Sequence, residues 1–177
     1  MMSFIGIGTN LGDRLENLRK ALHALEKKIG PIACCSDVYE TEAREITDQP
    51  AFLNMAVRVE TDKNPHHMLE CCLGIEKEMG RQPTIRFGPR IIDLDLLLMG
   101  SWVHSDNRLI LPHPRMHLRR FVLVPLQDIA SEVIHPVLNQ SIQSILRNLS
   151  DSSKVDWYCK RPCPDSIITW NPICQDI

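Results

Sequence analysis

Apolar residues in the first hundred positions fall into short runs and helical stripes. "SFIGIG" is an apolar run ending at Gly8 and predicts a first strand. Leu15, Leu18, Leu22, Leu25 and Ile29 then recur at three- and four-residue spacing, the pattern of an amphipathic helix that Gly30-Pro31 stops. "IACCSDVYET" predicts a second strand, and "REITDQPA" a polar loop. In "FLNMAVRVET", Leu53, Met55, Val57 and Val59 alternate with Phe52, Asn54, Ala56 and Arg58, which predicts a strand with one buried face. Asn64-Pro65 supplies an N-cap and a first-turn proline for a second helix running to about Met79, with Gly80 as its stop. "IIDLDLLLM" reads as a fourth strand.

The order strand, helix, strand, strand, helix, strand is the split βαβ pattern. It predicts an α+β protein with a ferredoxin-like βαββαβ core, an antiparallel sheet with helices packed on it. Beyond Gly100, "SWVHSDNRLILP" predicts a hairpin, with helical stretches over 116–120, 125–130 and 141–149, so a hairpin and helix extension follows the core. After Ser150 the texture changes to Ser, Pro, Cys and Trp without periodicity, which divides the chain into a domain over 1–150 and an extension over 151–177.

Composition narrows the function classes. The chain has 177 residues, 44% hydrophobic and 24% charged, as an ordinary globular domain with a sizeable core has. Its net charge of -2 gives no global attraction to nucleic acid or anionic membrane, so neither is expected as a partner. No apolar run is long enough to span a bilayer, and "MMSFIGIGTN" lacks a basic signal region, which predicts a cytoplasmic protein. The seven cysteines are odd in number, and Cys34, Cys35, Cys71 and Cys72 sit as adjacent pairs, suited to core filling rather than bridging. Cys159 and Cys163 have loose metal spacing, with no second pair of ligands to complete a zinc site.

The carboxylates in "DLDLLL" break the apolar pattern. Side chains two apart on a strand share a face, so Asp93 and Asp95 lie side by side, roughly 6.5 Å apart at Cα. Two ionised carboxylates there repel by several kcal/mol unless a positive charge intervenes. Either magnesium bound to the phosphates of a nucleotide or ion pairs with neighbouring arginines meets that need. The arginines are at hand: Arg81, Arg86, Arg90, Arg108, Arg115, Arg119 and Arg120 fall in one stretch of a chain that is acidic overall. Guanidinium groups clamp phosphate oxygens bidentately, whereas an arginine run alone is an ordinary solvated face. His113 lies between two prolines that restrict its backbone, in a position to bond a phosphate or simply to occupy a surface turn. "GIGTNLG" departs from the dinucleotide fingerprint and reads as a turn between strand and helix; the chain has no P-loop motif.

The stretches "IGIGTNLGDRLENLRKAL", "DQPAFLNMAV", "LGIEKEMGR", "FGPRIIDLDLLLMG" and "LPHPRMHLRRFVLVPLQDIA" together resemble the 6-hydroxymethyl-7,8-dihydropterin pyrophosphokinases of folate biosynthesis. They cover most of residues 4–130 in the family's order. The resemblance implies transfer of pyrophosphate from ATP to the pterin hydroxymethyl oxygen, with release of AMP. It implies that Asp93 and Asp95 hold two Mg2+ ions. It implies that Arg90, Arg108, His113 and Arg119 contact ATP, and that Arg81 and Arg86 belong to a mobile loop over the site. Phe52 and Phe121 fall where two rings sandwich the pterin, Asn54 where an amide reads its polar edge, and Thr41 in a segment touching it. Glu76 falls in the family's helix motif. A dihydropteroate synthase is the partner with which such a protein is functionally coupled.

Leu73 stands where a glutamine that bonds the nucleotide is frequent, and Phe87 where a tryptophan is common. Residues beyond Ser150 carry no resemblance. The alternative to an enzyme is a non-catalytic ligand-binding module, since ferredoxin-like folds host regulatory domains.

Overall fold

The computed structural model describes residues 1–43, 48–81 and 88–162. Strand β1 (Met2–Thr9) runs through the sheet interior and delivers the chain to helix α1 (Arg14–Lys28). Asp13 caps this helix, its carboxylate accepting the Glu16 N–H at 3.0 Å, and Leu18, Leu22 and Leu25 bury the apolar stripe. The reversal that follows depends on Gly30. Its φ is +152°, and a Cβ there would stand 2.4 Å from the Glu60 carbonyl oxygen. Gly30→Ala is expected to cost about 2 kcal/mol or more, because backbone rather than a flexible side chain must move. Urea denaturation reads this directly, and an unchanged midpoint would show that the turn opens freely.

Strands β2 (Ile32–Cys35), β3 (Val38–Thr41) and β4 (Phe52–Glu60) lead to helix α2 (Pro65–Glu78) and strand β5 (Asp93–Met99). A small hairpin follows, β6 (His104–Ser105) with β7 (Ile110–Leu111), then a 3-10 turn (Met116–Leu118) and helix α3 (Arg120–Ala130). A second hairpin, β8 (Ile134–His135) with β9 (Gln140–Ser141), leads into helix α4 (Ile142–Arg147), and strand β10 (Asp156–Cys159) comes last. The main sheet runs β10-β3-β4-β1-β5, with β2 also pairing β4, and every pairing is antiparallel. This is the ferredoxin-like core, carrying an extra edge strand. Among the described residues no helix is long and apolar enough to cross a membrane.

Two apolar layers sandwich the sheet. On one face Ile5, Ile7, Leu53, Met55, Val57, Leu94 and Leu96 meet Leu22, Leu25, Met68, Cys72 and Ile75 of α1 and α2. On the other, Phe4, Ala56, Leu97 and Leu98 meet Val122, Leu123, Leu126 and Ile129 of α3, with Ile142 and Ile145 of α4. Strand β4 is therefore covered on both faces, whereas its alternation predicts one buried face. Small Ala56 leaves the room that α3 occupies. "IACCSDVYET" is likewise two strands. Ser36 interrupts it, its hydroxyl accepting the Ala56 N–H at 2.8 Å while its own N–H donates to the Ala56 carbonyl at 2.9 Å. The extension also contributes: β10 pairs with β3, and the Trp157 indole N–H donates to Asp37 Oδ2 at 2.9 Å.

Candidate active site

Strand register builds the site floor. Gly8 is paired with Asp93 on one side and Asn54 on the other, and Gly6 with Asp95 and Ala56. Directly paired residues project to the same face of a sheet. The glycines thus form a bare strip between two carboxylates on β5 and an amide on β4. A Cβ on Gly8 would lie 3.3 Å from Asn54 Oδ1, 3.9 Å from Phe52 Cδ1 and 4.0 Å from Asp93 Cβ. Above the strip opens a cleft whose walls include Thr41, Phe52, Asn54, Arg90, Asp93 and Asp95. His113, Arg115, Arg119 and Phe121 complete the opposite side.

The two carboxylates differ in their surroundings. Asp93 accepts from Arg90 at 2.5 Å through Oδ2 and from Arg81 at 2.9 Å through Oδ1. Arg81 also pairs with Glu76, a buried carboxylate that accepts the Leu94 N–H at 2.8 Å and whose pKa is raised mainly by burial. Asp95 faces His113 Nε2 at 4.0 Å. Burial first and the charge of Asp93 second push the Asp95 pKa up to about 6, with Arg119, Arg90 and Arg81 offsetting part of the rise. Ion pairing with arginine therefore holds for Asp93, while Asp95 keeps an ionisation that a cation would relieve. Two hard oxygen donors on one face, one of them without a short arginine contact among the described residues, fit a divalent cation such as magnesium.

His113 is set by its backbone. Its N–H donates to the Leu97 carbonyl at 2.9 Å, and the Arg115 N–H donates to its Nδ1 at 3.2 Å. An accepting Nδ1 puts the proton on Nε2, the nitrogen turned toward Asp95. Burial, then the Arg119 and Arg115 charges, lower its pKa to about 4. At neutral pH it is an uncharged donor.

The other end of the cleft is aromatic and amide. Phe52 opens β4, and Phe121 lies in the first turn of α3 with the Arg119 guanidinium 5.5 Å from its ring centre. The Asn54 amide donates to Thr41 Oγ1 at 2.8 Å, a buried bond that leaves Oδ1 beside the glycine strip. Asn10, buried, ties the walls together: its amide donates to Gln49 Oε1 at 3.1 Å and to the Pro50 carbonyl at 3.0 Å, while its Oδ1 accepts the Arg90 N–H at 2.7 Å.

Nine of the residues to which the resemblance gives a site role thus share one cleft: Thr41, Phe52, Asn54, Arg90, Asp93, Asp95, His113, Arg119 and Phe121. Arg81 reaches it through Asp93. Arg108 instead pairs with Glu70 at 3.3 Å on an exposed edge and is not among the lining residues. Arg86 and Phe87 lie outside the described residues, as do Cys163 and Cys174. Sequence reading missed Gly6, Gly8 and Asn10. The only signal for them was the "GIGTN" run itself.

The family described as 7,8-dihydro-6-hydroxymethylpterin-pyrophosphokinase (HPPK) matches residues 4–131. A Bacillus subtilis 2-amino-4-hydroxy-6-hydroxymethyldihydropteridine pyrophosphokinase is 42% identical over 133 residues, covering 75% of this chain and 80% of that protein. The mitochondrial folate synthesis bifunctional protein of Pisum sativum is 44% identical over 130 residues, 73% of this chain and 25% of that protein. Wild-type Plasmodium falciparum HPPK-DHPS, solved with pterin and p-hydroxybenzoate, shares the fold with a TM-score of 0.68 at 20% identity, over 82% of this chain and 42% of that one. The chain spans between 20% and 26% of the first three larger relatives it matches.

Proposed function

The chain belongs to the 7,8-dihydro-6-hydroxymethylpterin-pyrophosphokinase family, and from that premise we propose that it transfers pyrophosphate from ATP to 6-hydroxymethyl-7,8-dihydropterin. The products are the pterin diphosphate and AMP, a step of folate biosynthesis. The observation that carries this reading is the strip of Gly6 and Gly8, which joins an aromatic-amide end to a carboxylate-guanidinium end in one cleft.

A flat pterin lies on the glycine strip between Phe52 and Phe121, with the Asn54 amide on its polar edge and Thr41 holding that amide in place. The polyphosphate lies along Arg90, Arg119 and the Nε2–H of His113. Asp93 and Asp95 are the residues that would hold magnesium, two ions in this reading, whose positive charge would stabilise the phosphate oxygens. Arg81 and Arg90, paired with Asp93 without ligand, exchange that carboxylate for phosphate oxygens when nucleotide binds. The hydroxymethyl oxygen then bonds to the β-phosphorus as the bond from that phosphorus to the α,β-bridging oxygen breaks. AMP departs with the electron pair, and the hydroxyl proton passes to water. Such a transfer asks mainly for positioning and charge stabilisation, which this cleft supplies without a dedicated base.

Coupling to a dihydropteroate synthase belongs to the same proposal; relatives that carry HPPK-DHPS in one chain support it. Incubation with ATP, Mg2+ and the hydroxymethyl pterin should yield AMP and pterin diphosphate in equal amounts. ADP in place of AMP, or neither, would overturn the assignment.

Phe121→Ala should weaken pterin binding by about 1 kcal/mol beyond the loss of buried area, since one stacking wall goes. ATP affinity should change far less. Calorimetry with each ligand separates the two, and equal weakening would count against a pterin sandwich.

A further inference from the structure

His66, His104 and Asp106 form a convergent cluster that lies apart from the cleft lining. Both imidazole Nε2 atoms stand 2.9 Å from the same oxygen, Asp106 Oδ2. All three potential ligand atoms lie within 4.8 Å of one another, and the rings meet edge to face at 89° with centres 5.1 Å apart. A tetrahedral zinc with bonds of about 2.0–2.1 Å needs ligand atoms about 3.3–3.4 Å apart, so a small spreading of this cluster makes room for an ion.

The surroundings hold these groups for that task. Asp106 Oδ1 accepts the N–H of Arg108 and of Leu109, both at 2.8 Å, which fixes the carboxylate and leaves Oδ2 to the histidines. His66 lies in the first turn of α2, where Asn64 caps the helix and Pro65 sets its start. His104 lies in β6 and is paired with Leu111 of β7. The three side chains are partly exposed, so an ion reaches them from solvent.

We infer that this cluster is a binding site for a zinc-class dication, with water completing the shell, that pins the β6–β7 hairpin to α2. Two imidazoles and a carboxylate favour a borderline transition metal, whereas the all-oxygen pair in the cleft favours magnesium. The Arg108–Glu70 ion pair, one turn further along α2, joins the same two elements. Because β7 ends at Leu111, two residues before His113, the metal steadies the segment that carries His113 into the cleft.

The test uses the full chain without a histidine tag, stripped with chelator and titrated with Zn2+ in excess Mg2+. One zinc per chain is expected, with the visible absorption of a tetrahedral site when Co2+ replaces it. His104→Ala and Asp106→Asn should each weaken zinc binding about 100-fold or more while leaving circular dichroism unchanged. At a hundredfold excess over its Kd, zinc should raise Tm by about 5–10 °C in the unaltered protein, and this shift should vanish in the variants. Binding that persists in both variants would assign the metal to the thiols or to Asp93 and Asp95 and overturn the proposal. Failure of the unaltered chain to bind stoichiometric zinc would overturn it equally.

Discussion

Asp95→Asn will give a folded protein in which the proposed pyrophosphoryl transfer falls by about a thousandfold or more, a loss of about 4 kcal/mol in the transition state. The substitution is nearly isosteric, and it removes the carboxylate that, among the described residues, has no short arginine contact of the kind holding Asp93. Its effect on stability runs opposite to its effect on activity. The Asp95 pKa is raised from 3.8 to about 6, so ionising it costs the native state stability as the pH climbs through that window, and the cost is full above it. An amide removes the cost, partly screened because the side chain is about a third exposed. At pH 7 the variant should therefore melt no lower than the parent. Asp93→Asn should also abolish transfer, yet it releases Arg81 and Arg90 together and is the less clean test. Calorimetric melting beside an AMP assay reads both quantities, and near-normal turnover by folded Asp95→Asn at moderate Mg2+ would remove the metal assignment.

The helices were legible because their signals are local. Asp13 and Asn64 cap where they stand in the sequence, and the leucine stripe of α1 needs no partner to be seen. Strand β5 was legible as well, because paired carboxylates among leucines have few physical explanations. What stayed hidden depended on distant partners. The second face of β4 is buried because α3 returns across Ala56 from some seventy residues later. Strand β10 joins the sheet through its backbone while Trp157 and Tyr158 remain exposed, so it shows no apolar alternation. The resemblance implies that Arg108 contacts ATP, and the pairing that the hairpin gives it with Glu70 on α2 is one no local pattern announces. The glycines were hardest to read, since their contribution is the absence of a side chain and only register with Asn54 and Asp93 reveals what that absence makes room for.

Gly8→Val should separate stability from function most sharply. Glycine inside a strand costs about 0.5–1 kcal/mol, and valine is among the residues best suited to a pleated strand. Nothing in the conformation of Gly8 resists the change, for its φ is not among the positive values found at Gly12, Gly30, Gly80 and Gly100. That gain offsets the cost of moving the Asn54 amide that a Cβ would crowd, so the fold should stay close to parental stability. The cleft should not tolerate it. Even a lone Cβ comes within 3.3 Å of Asn54 Oδ1, so Gly8→Ala obliges the amide to give by a few tenths of an ångström against its bond to Thr41. The two further methyls of valine project over the strip where the pterin is proposed to lie and hold its hydroxymethyl group out of line. A displacement of about 1 Å at the reacting atoms costs about a hundredfold in rate, so kcat/KM for the pterin should fall by at least that much. Gly8→Ala should fall between. ATP affinity should survive in both, because Arg90, His113 and Arg119 are not among the nearest neighbours that a Cβ on Gly8 meets. Urea midpoints, steady-state kinetics and nucleotide titration together read the pattern. A Gly8→Val protein with parental kcat/KM would mean that the pterin does not rest on the glycine strip.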